Sequence, residues 1–324
     1  MSDDPTIVSK VLVLESDAAC VDRIKTFCDD NHLVGLKVQP DNVMAVLRSN
    51  LDLGGIFLSE AYADTAQGGL LLARKIHKVR PELPIFLRRE SSDSWDDFPD
   101  RDRHLFSAVY TLASMAKLQT AIGEFIFSRS YPNALVRGIS EIAIPALESQ
   151  FQSMRVEVEA PYLVRDRLIF GEIFTLIPLE SSWCRGYMML QTEEEALMHL
   201  VKAKRTFVNP EDAFDFRNLN GLLGEITNLI WGAMKNRFLS TRRESVYQSQ
   251  VPLIINNLHR YISFGSDNPQ LCFKYTVSDP NHSAIKPLVL QQKFVFNLDW
   301  SPEDFSENVV SVDELVSSGE LELF

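Results

Sequence analysis

Val11-Leu-Val-Leu-Glu-Ser-Asp17 decides the reading of the first third of the chain. Four apolar residues in a row suit a strand buried on both faces, and such a strand ending in polar residues opens a parallel α/β unit. Residues 21–27 follow with apolar side chains at helical spacing (Val21, Ile24, Phe27). Working outward, residues 55–58 form a second apolar strand and residues 70–76 a helix; residues 80–87 lead into a third strand. Residues 107–110 form a last short strand, and residues 112–127 read as a closing helix. Alternation of short apolar runs with helical patterns predicts a doubly wound parallel sheet over residues 10–130. The polar stretch 91–104 lacks an apolar period and reads as loop.

The chain has 324 residues, enough for two ordinary domains, with 45% hydrophobic and 23% charged residues. Its net charge is −12, partly because residues 299–324 hold eight acids and no Lys or Arg. Such a surface repels phosphate backbones and anionic membranes, so nucleic acid and membrane are excluded as main partners. The polar, acidic start and the lack of any long apolar run point to a cytoplasmic protein. Cys20, Cys28, Cys184 and Cys272 form no metal-ligand spacing and the six histidines are scattered, so buried thiols are expected and no metal site.

Residues 128–133, with Pro132, form a polar boundary. The expected division is a first domain over 1–130, a second over 131–300, and an acidic tail over 301–324. The second part opens with a helix over residues 134–154 containing Pro145. Strand patterns follow at 155–159, 170–179 and 187–190, a helix at 193–203, and strands again at 271–277 and 293–298. These mix strands and helices in an α+β pattern. The tail is expected to be partly disordered, with Val309, Val310, Val312, Leu315 and Val316 able to dock as a short helix.

Within the second part, residues 217–238 read as an amphipathic helix whose core stripe is Leu219, Leu222, Leu223, Ile226, Ile230, Ala233 and Met234. Glu225 and Asn228, three apart, share the opposite face with Gly221, Gly232 and Lys235. Two glycines beside a polar pair let another backbone approach. By spacing alone, ordinary surface residues of an amphipathic helix are the better reading, because a bare E-x-x-N pair is common by chance. Glu211 and Asp215 near the helix start read as surface or N-terminal acids.

The first part resembles a response-regulator receiver (CheY-like) over about 120 residues. The resemblance is carried, in order, by Val11-Leu-Val-Leu-Glu-Ser-Asp17, Ile56-Phe-Leu-Ser-Glu60, Gly69-Leu70 and Pro81-Glu-Leu-Pro84. It places the phosphoacceptor at Glu60 and the metal-binding acid pair at Glu15 and Ser16. The switch hydroxyl falls near Arg89, and the Lys near Tyr110 and Thr111. All four positions depart from the family pattern, and the loss of a carboxylate at Ser16 weakens a hard-cation site. A pseudo-receiver is implied. Glu60 either imitates the phosphorylated state or has drifted in a domain kept for docking or dimerisation; the second is preferred.

Gly224-Glu-Ile-Thr-Asn228, then Gly232, then Pro252 in Val251-Pro-Leu-Ile-Ile255, resembles the CheC/CheX family of chemotaxis phosphatases over roughly residues 135–300. A single E-x-x-N pair points to the CheX type; Glu141 and Glu148 in the first helix are not followed by Asn. Gly221 stands where an acid or Ser often precedes the Glu by four residues. The resemblance implies helices packed on a mainly antiparallel sheet. It also implies a cytoplasmic phosphatase of two-component signalling that acts on the aspartyl phosphate of a phosphorylated CheY-like response regulator. The chain would need no cofactor of its own, Mg²⁺ being supplied by the partner's site, and a homodimer is expected in which apolar strands near the C-terminus extend a sheet across two copies. Asn228 would orient the attacking water and Glu225 would pair with the partner's Lys. The rival reading is a docking or sequestering module without turnover.

Overall fold

The computed structural model describes residues 6–49, 52–64, 68–96, 98–165, 168–209, 216–239, 254–256, 260–264 and 268–307. The first part runs β1 (Val8–Leu14), α1 (Ala18–Asp30), β2 (Leu33–Lys37), α2 (Val43–Arg48), β3 (Gly55–Ser59), α3 (Gly68–Val79), β4 (Ile85–Arg88), α4 (Asp100–Arg103), β5 (Ala108–Tyr110) and α5 (Met115–Phe125). Its strands are parallel in the order β2-β1-β3-β4-β5. This is the doubly wound order of flavodoxin and CheY, so the expected fold class stands. Two apolar clusters, one on each face of the sheet, fill this half.

The second part runs α6 (Asn133–Gln150), β6 (Arg155–Val158), β7 (Tyr162–Val164), β8 (Ile173–Glu180), β9 (Cys184–Thr192), α7 (Glu194–Lys202), α8 (Phe216–Phe238), β10 (Ile254–Asn256), β11 (Tyr261–Ser263), β12 (Gln270–Ser278) and β13 (Leu288–Trp300). Helices α6, α7 and α8 share one large apolar cluster with the inner face of an antiparallel sheet ordered β7-β12-β13-β9-β8.

The two sheets are continuous. Strand β7 pairs in parallel with the start of β1, Val8 opposite Tyr162 and Ser9 opposite Leu163. The Ser9 hydroxyl, fully buried, donates to the Leu163 carbonyl at 2.7 Å. A side chain at Gly54 would run into Ser9 Oγ, so glycine is what lets β3 begin beside this junction. Below it, Tyr162 donates to buried Asp52 at 2.9 Å, and Gln291 of β13 donates to the same carboxylate oxygen at 3.2 Å. Buried polar groups are ordinarily hydrogen-bonded, and here Tyr162, Asp52 and Gln291 bond one another.

Several local expectations are corrected. Periodicity gave no signal for β2 and α2: β2 is a short, mostly exposed strand, and α2 is a six-residue helix that packs Val43 and Leu47 into the core. The polar stretch 91–104 contains the short helix α4, and Phe98 within it is buried against Trp95 and Phe106. The first helix of the second part ends at Gln150 and keeps Pro145 within it. Ala233, assigned to the core stripe of α8, is exposed, while the other six members of that stripe are buried. The start of the acidic tail packs on the second half, which does not contradict the expectation: Pro302–Asp304 form a 3-10 turn, and the Phe305 ring lies 5.0 Å from Trp183 and 5.6 Å from Phe238. Residues 308–324, with the apolar residues expected to dock, lie outside the described residues, as do Glu211, Asp215 and Pro252.

Candidate functional site

Helix α8 is fixed on three sides. Leu219, Leu222, Leu223, Ile226, Ile230 and Met234 are buried in the shared core. In the middle of the helix the Thr227 hydroxyl bonds back to the Leu223 carbonyl at 2.8 Å and lies 2.6 Å from the Thr175 hydroxyl of β8. At its end the Trp183 indole donates to the Phe238 carbonyl at 2.8 Å, satisfying one of the carbonyls that a helix terminus leaves free. Arg237 bonds Glu141 of α6 at 2.8 Å and Glu307 at 2.5 Å. Gly138 of α6 permits this approach, because a Cβ there would lie 2.4 Å from the Phe238 ring.

The opposite face is open. Glu225, Asn228, Gly221 and Lys235 are exposed and Gly232 is half-exposed. A Cβ built at Gly221, Gly224 or Gly232 meets nothing within 4 Å. Lys235 lies over the Trp231 ring, 5.3 Å from its centroid. Leu229 adds 38% exposed apolar surface beside the pair. Helical spacing thus puts a carboxylate, a carboxamide and an ammonium group along one accessible stripe with room for a second backbone. Sequence reasoning passed over Thr227 and Leu229. Thr227 carried a signal, being a polar residue on the apolar side of the helix.

The receiver-like site lies at the C-terminal ends of β1, β3 and β4. Glu15 is buried; one carboxylate oxygen accepts the backbone N–H groups of Ser16 and Asp17 at 2.9 and 3.1 Å, and the other accepts Arg88 Nε at 2.5 Å. Arg88 also donates to Ser59 Oγ at 3.0 Å. Burial works against the Arg88 charge, but the bond to Glu15 outweighs it, so the guanidinium titrates above its ordinary value. Arg89 donates to Glu60 at 3.1 Å and to the Ser94 carbonyl at 2.9 Å. Ser16 Oγ accepts the Ala63 N–H, and Asp17 caps α1 through Ala19 N and Cys20 N. Near the Lys position, Tyr110 is fully buried, and Thr111 closes a turn with Ser114. Sequence reasoning named Arg89 and missed Arg88, whose signal was an arginine closing an otherwise apolar strand.

These residues do not fit a divalent cation. Both carboxylates face guanidinium groups, and Mg²⁺ would have to displace them to reach its oxygen ligands. The second half joins β1 at Val8 and Ser9, whereas Glu15 lies past the other end of the strand, roughly 20 Å away at 3.3 Å per residue. Helix α8 packs against β8, the far edge of the sheet. The open face of α8 and the receiver-like site therefore occupy separate regions of the chain.

No family model and no curated protein matches the chain. Among solved structures it is similar to a response regulator receiver protein from Sinorhizobium medicae WSM419, at 18% identity and TM-score 0.29, covering 37% of this chain and 94% of that one. It is also similar to a CheC-like superfamily protein from Shewanella sp. PV-4, at 20% identity and TM-score 0.33, covering 49% and 96% of the two chains. A chemotactic CheC-like protein from Shewanella oneidensis MR-1 matches at 14% identity and TM-score 0.28, over 50% and 90%. No helix among the described residues is long and apolar enough to cross a membrane.

Proposed function

We propose that this protein hydrolyses the aspartyl phosphate of a response-regulator receiver on another chain, within two-component signalling. The observation that carries the reading is the pair Glu225 and Asn228. Both are exposed on one face of a helix anchored everywhere else, and neither makes a hydrogen bond or ion pair among the described residues.

The chemistry asks little of the enzyme beyond position. A water oxygen attacks phosphorus in line, the bond from phosphorus to the aspartyl oxygen breaks, and the receiver's carboxylate and inorganic phosphate are released. The Asn228 amide can accept from the water and donate to a phosphoryl oxygen. Glu225 pairs with a cationic side chain of the partner and sets the register. The receiver supplies the Mg²⁺ that screens the phosphoryl charge, and the glycines at 221 and 232 admit its backbone. This chain's own receiver-like half is an unsuitable substrate, because its carboxylates are held by arginines at a distance from α8.

The test is decay of a phosphorylated CheY-like receiver with and without the protein. Wild type should accelerate it, and Asn228→Ala should remove the acceleration, on the order of a hundredfold in rate. Absence of acceleration for every receiver tried would refute the reading. A docking module is the second reading, favoured by Gly221 and by the neutralised receiver site; it predicts binding without phosphate loss.

A further inference from the structure

A cleft of about 420 Å³ opens at the seam between the two halves, within the range of small-molecule sites. Lys10 and Asp52 line it from the first half; Phe170, Lys286 and Gln291 line it from the second. It shares no residue with the α8 face or the receiver-like site.

Three features define what it would take. The first is an unused cation. Lys10 is half-buried, lies over the Tyr162 ring at 4.8 Å, and forms no ion pair among the described residues. Lys286 is held only loosely, 3.8 Å from Glu193. Lys274, also in the lining, is committed to Glu159 at 2.5 Å. The second is an orphaned acceptor. Gln291 is only 3% exposed, and its Nε2 donates to Asp52, which fixes the amide orientation. Its Oε1 is left buried with no partner among the described residues. Buried acceptors are ordinarily satisfied, so this one calls for a donor. The third is an apolar wall, Phe170 with Pro287 and Val289, suited to a flat ring.

The charges also fix polarity. Asp52 is buried in the cleft and repels an anion there, whereas Lys10 and Lys286 are more exposed. Glu193, the other acid of the lining, faces Lys286 at 3.8 Å, so a phosphate at Lys286 would take the place of that loose contact. We infer that this cleft binds a small phosphorylated ligand with a planar ring bearing an N–H donor, of the mononucleotide class. The phosphate sits between Lys10 and Lys286, the ring lies against Phe170, and the donor meets Gln291. Because the lining comes from both halves, an occupied cleft ties them together.

The experiment is calorimetric titration of the full chain with AMP and GMP, with adenosine, guanosine and inorganic phosphate as partial probes, alongside the shift in thermal midpoint. At least one nucleotide should bind saturably, raise the midpoint, and outcompete its nucleoside and phosphate. Lys10→Gln and Lys286→Gln should each weaken it about tenfold, the loss of one charge-assisted contact. Both lysines are at least partly solvent-facing, so these variants keep the fold. Gln291→Met, which removes the acceptor and leaves the charges, should weaken the nucleotide but not inorganic phosphate. No saturable binding at millimolar nucleotide, binding indifferent to both lysine variants, or phosphate binding as tightly as the nucleotide would each overturn the inference.

Discussion

Arg89, just past the end of β4, donates from Nε to Oε1 of Glu60 across 3.1 Å, so the carboxylate that the receiver resemblance places at the phosphoacceptor position is already paired with a guanidinium. A fixed charge imitating phosphate would have to be free to act. Glu60→Gln is therefore expected to leave receiver dephosphorylation unchanged and to cost no more than about 1 kcal/mol in stability, as for a partly exposed ion pair. Paired activity assays and urea titrations check this. Radiolabelled acetyl phosphate should leave both wild type and Glu60→Asp unlabelled, because Arg88, Arg89 and Ser16 still exclude the metal.

Glu15 and Arg88 form the corresponding buried pair, with side chains 3% and 5% exposed. Glu15→Ala strands a buried guanidinium and should cost about 3–5 kcal/mol. Replacing both partners, Glu15→Leu with Arg88→Met, should recover most of that loss, because a pair of apolar side chains carries no desolvation penalty. Denaturant midpoints of the single and double variants decide the point.

Tyr162 and Asp52 couple the halves across the seam. Tyr162→Phe removes one donor from a buried carboxylate and should destabilise the protein by about 1–3 kcal/mol. With one sheet running through both halves, tryptophan fluorescence and far-ultraviolet circular dichroism should report a single coincident unfolding transition. Separate transitions would show that the β1–β7 ladder is too short to transmit cooperativity.

Burial pushes the Cys28 and Cys184 thiols up to about 12. In the unfolded chain a thiol ionises near 8.5, so above that pH the unfolded state loses a proton that the folded state keeps. The contribution is fully present below about pH 8.5 and then falls, by about 1.4 kcal/mol per pH unit for each thiol. Urea midpoints measured from pH 7 to 10 should decline accordingly. A thiol reagent at neutral pH should label these two cysteines only under unfolding conditions.

Much of this was legible locally. Apolar runs mark the strands because a strand buried on both faces needs them, and 3.6-residue periodicity separates the open face of α8 from its core. Ala233 was misplaced because periodicity assigns a residue an angle on the helix and cannot say how far the neighbouring surface extends. Strands β2 and β7 went unmarked for a related reason: at five and three residues, they are too short to show a period.

The sequence by itself determined an α/β unit followed by an α+β one, the residues Ser16, Glu60, Arg89 and Tyr110 at the positions where a receiver differs, and the shared face of Glu225 and Asn228. Those features depend on residue identity and on spacing within one element. Tertiary structure alone decided that Arg88 holds Glu15, that β7 extends the sheet of β1, and that Lys10 and Gln291 line one cleft. Each of these joins residues between 73 and 281 positions apart, as Glu15 with Arg88 and Lys10 with Gln291. Partners at such distances are chosen by strand register and by the need to satisfy buried polar groups, and neither leaves a period in the chain.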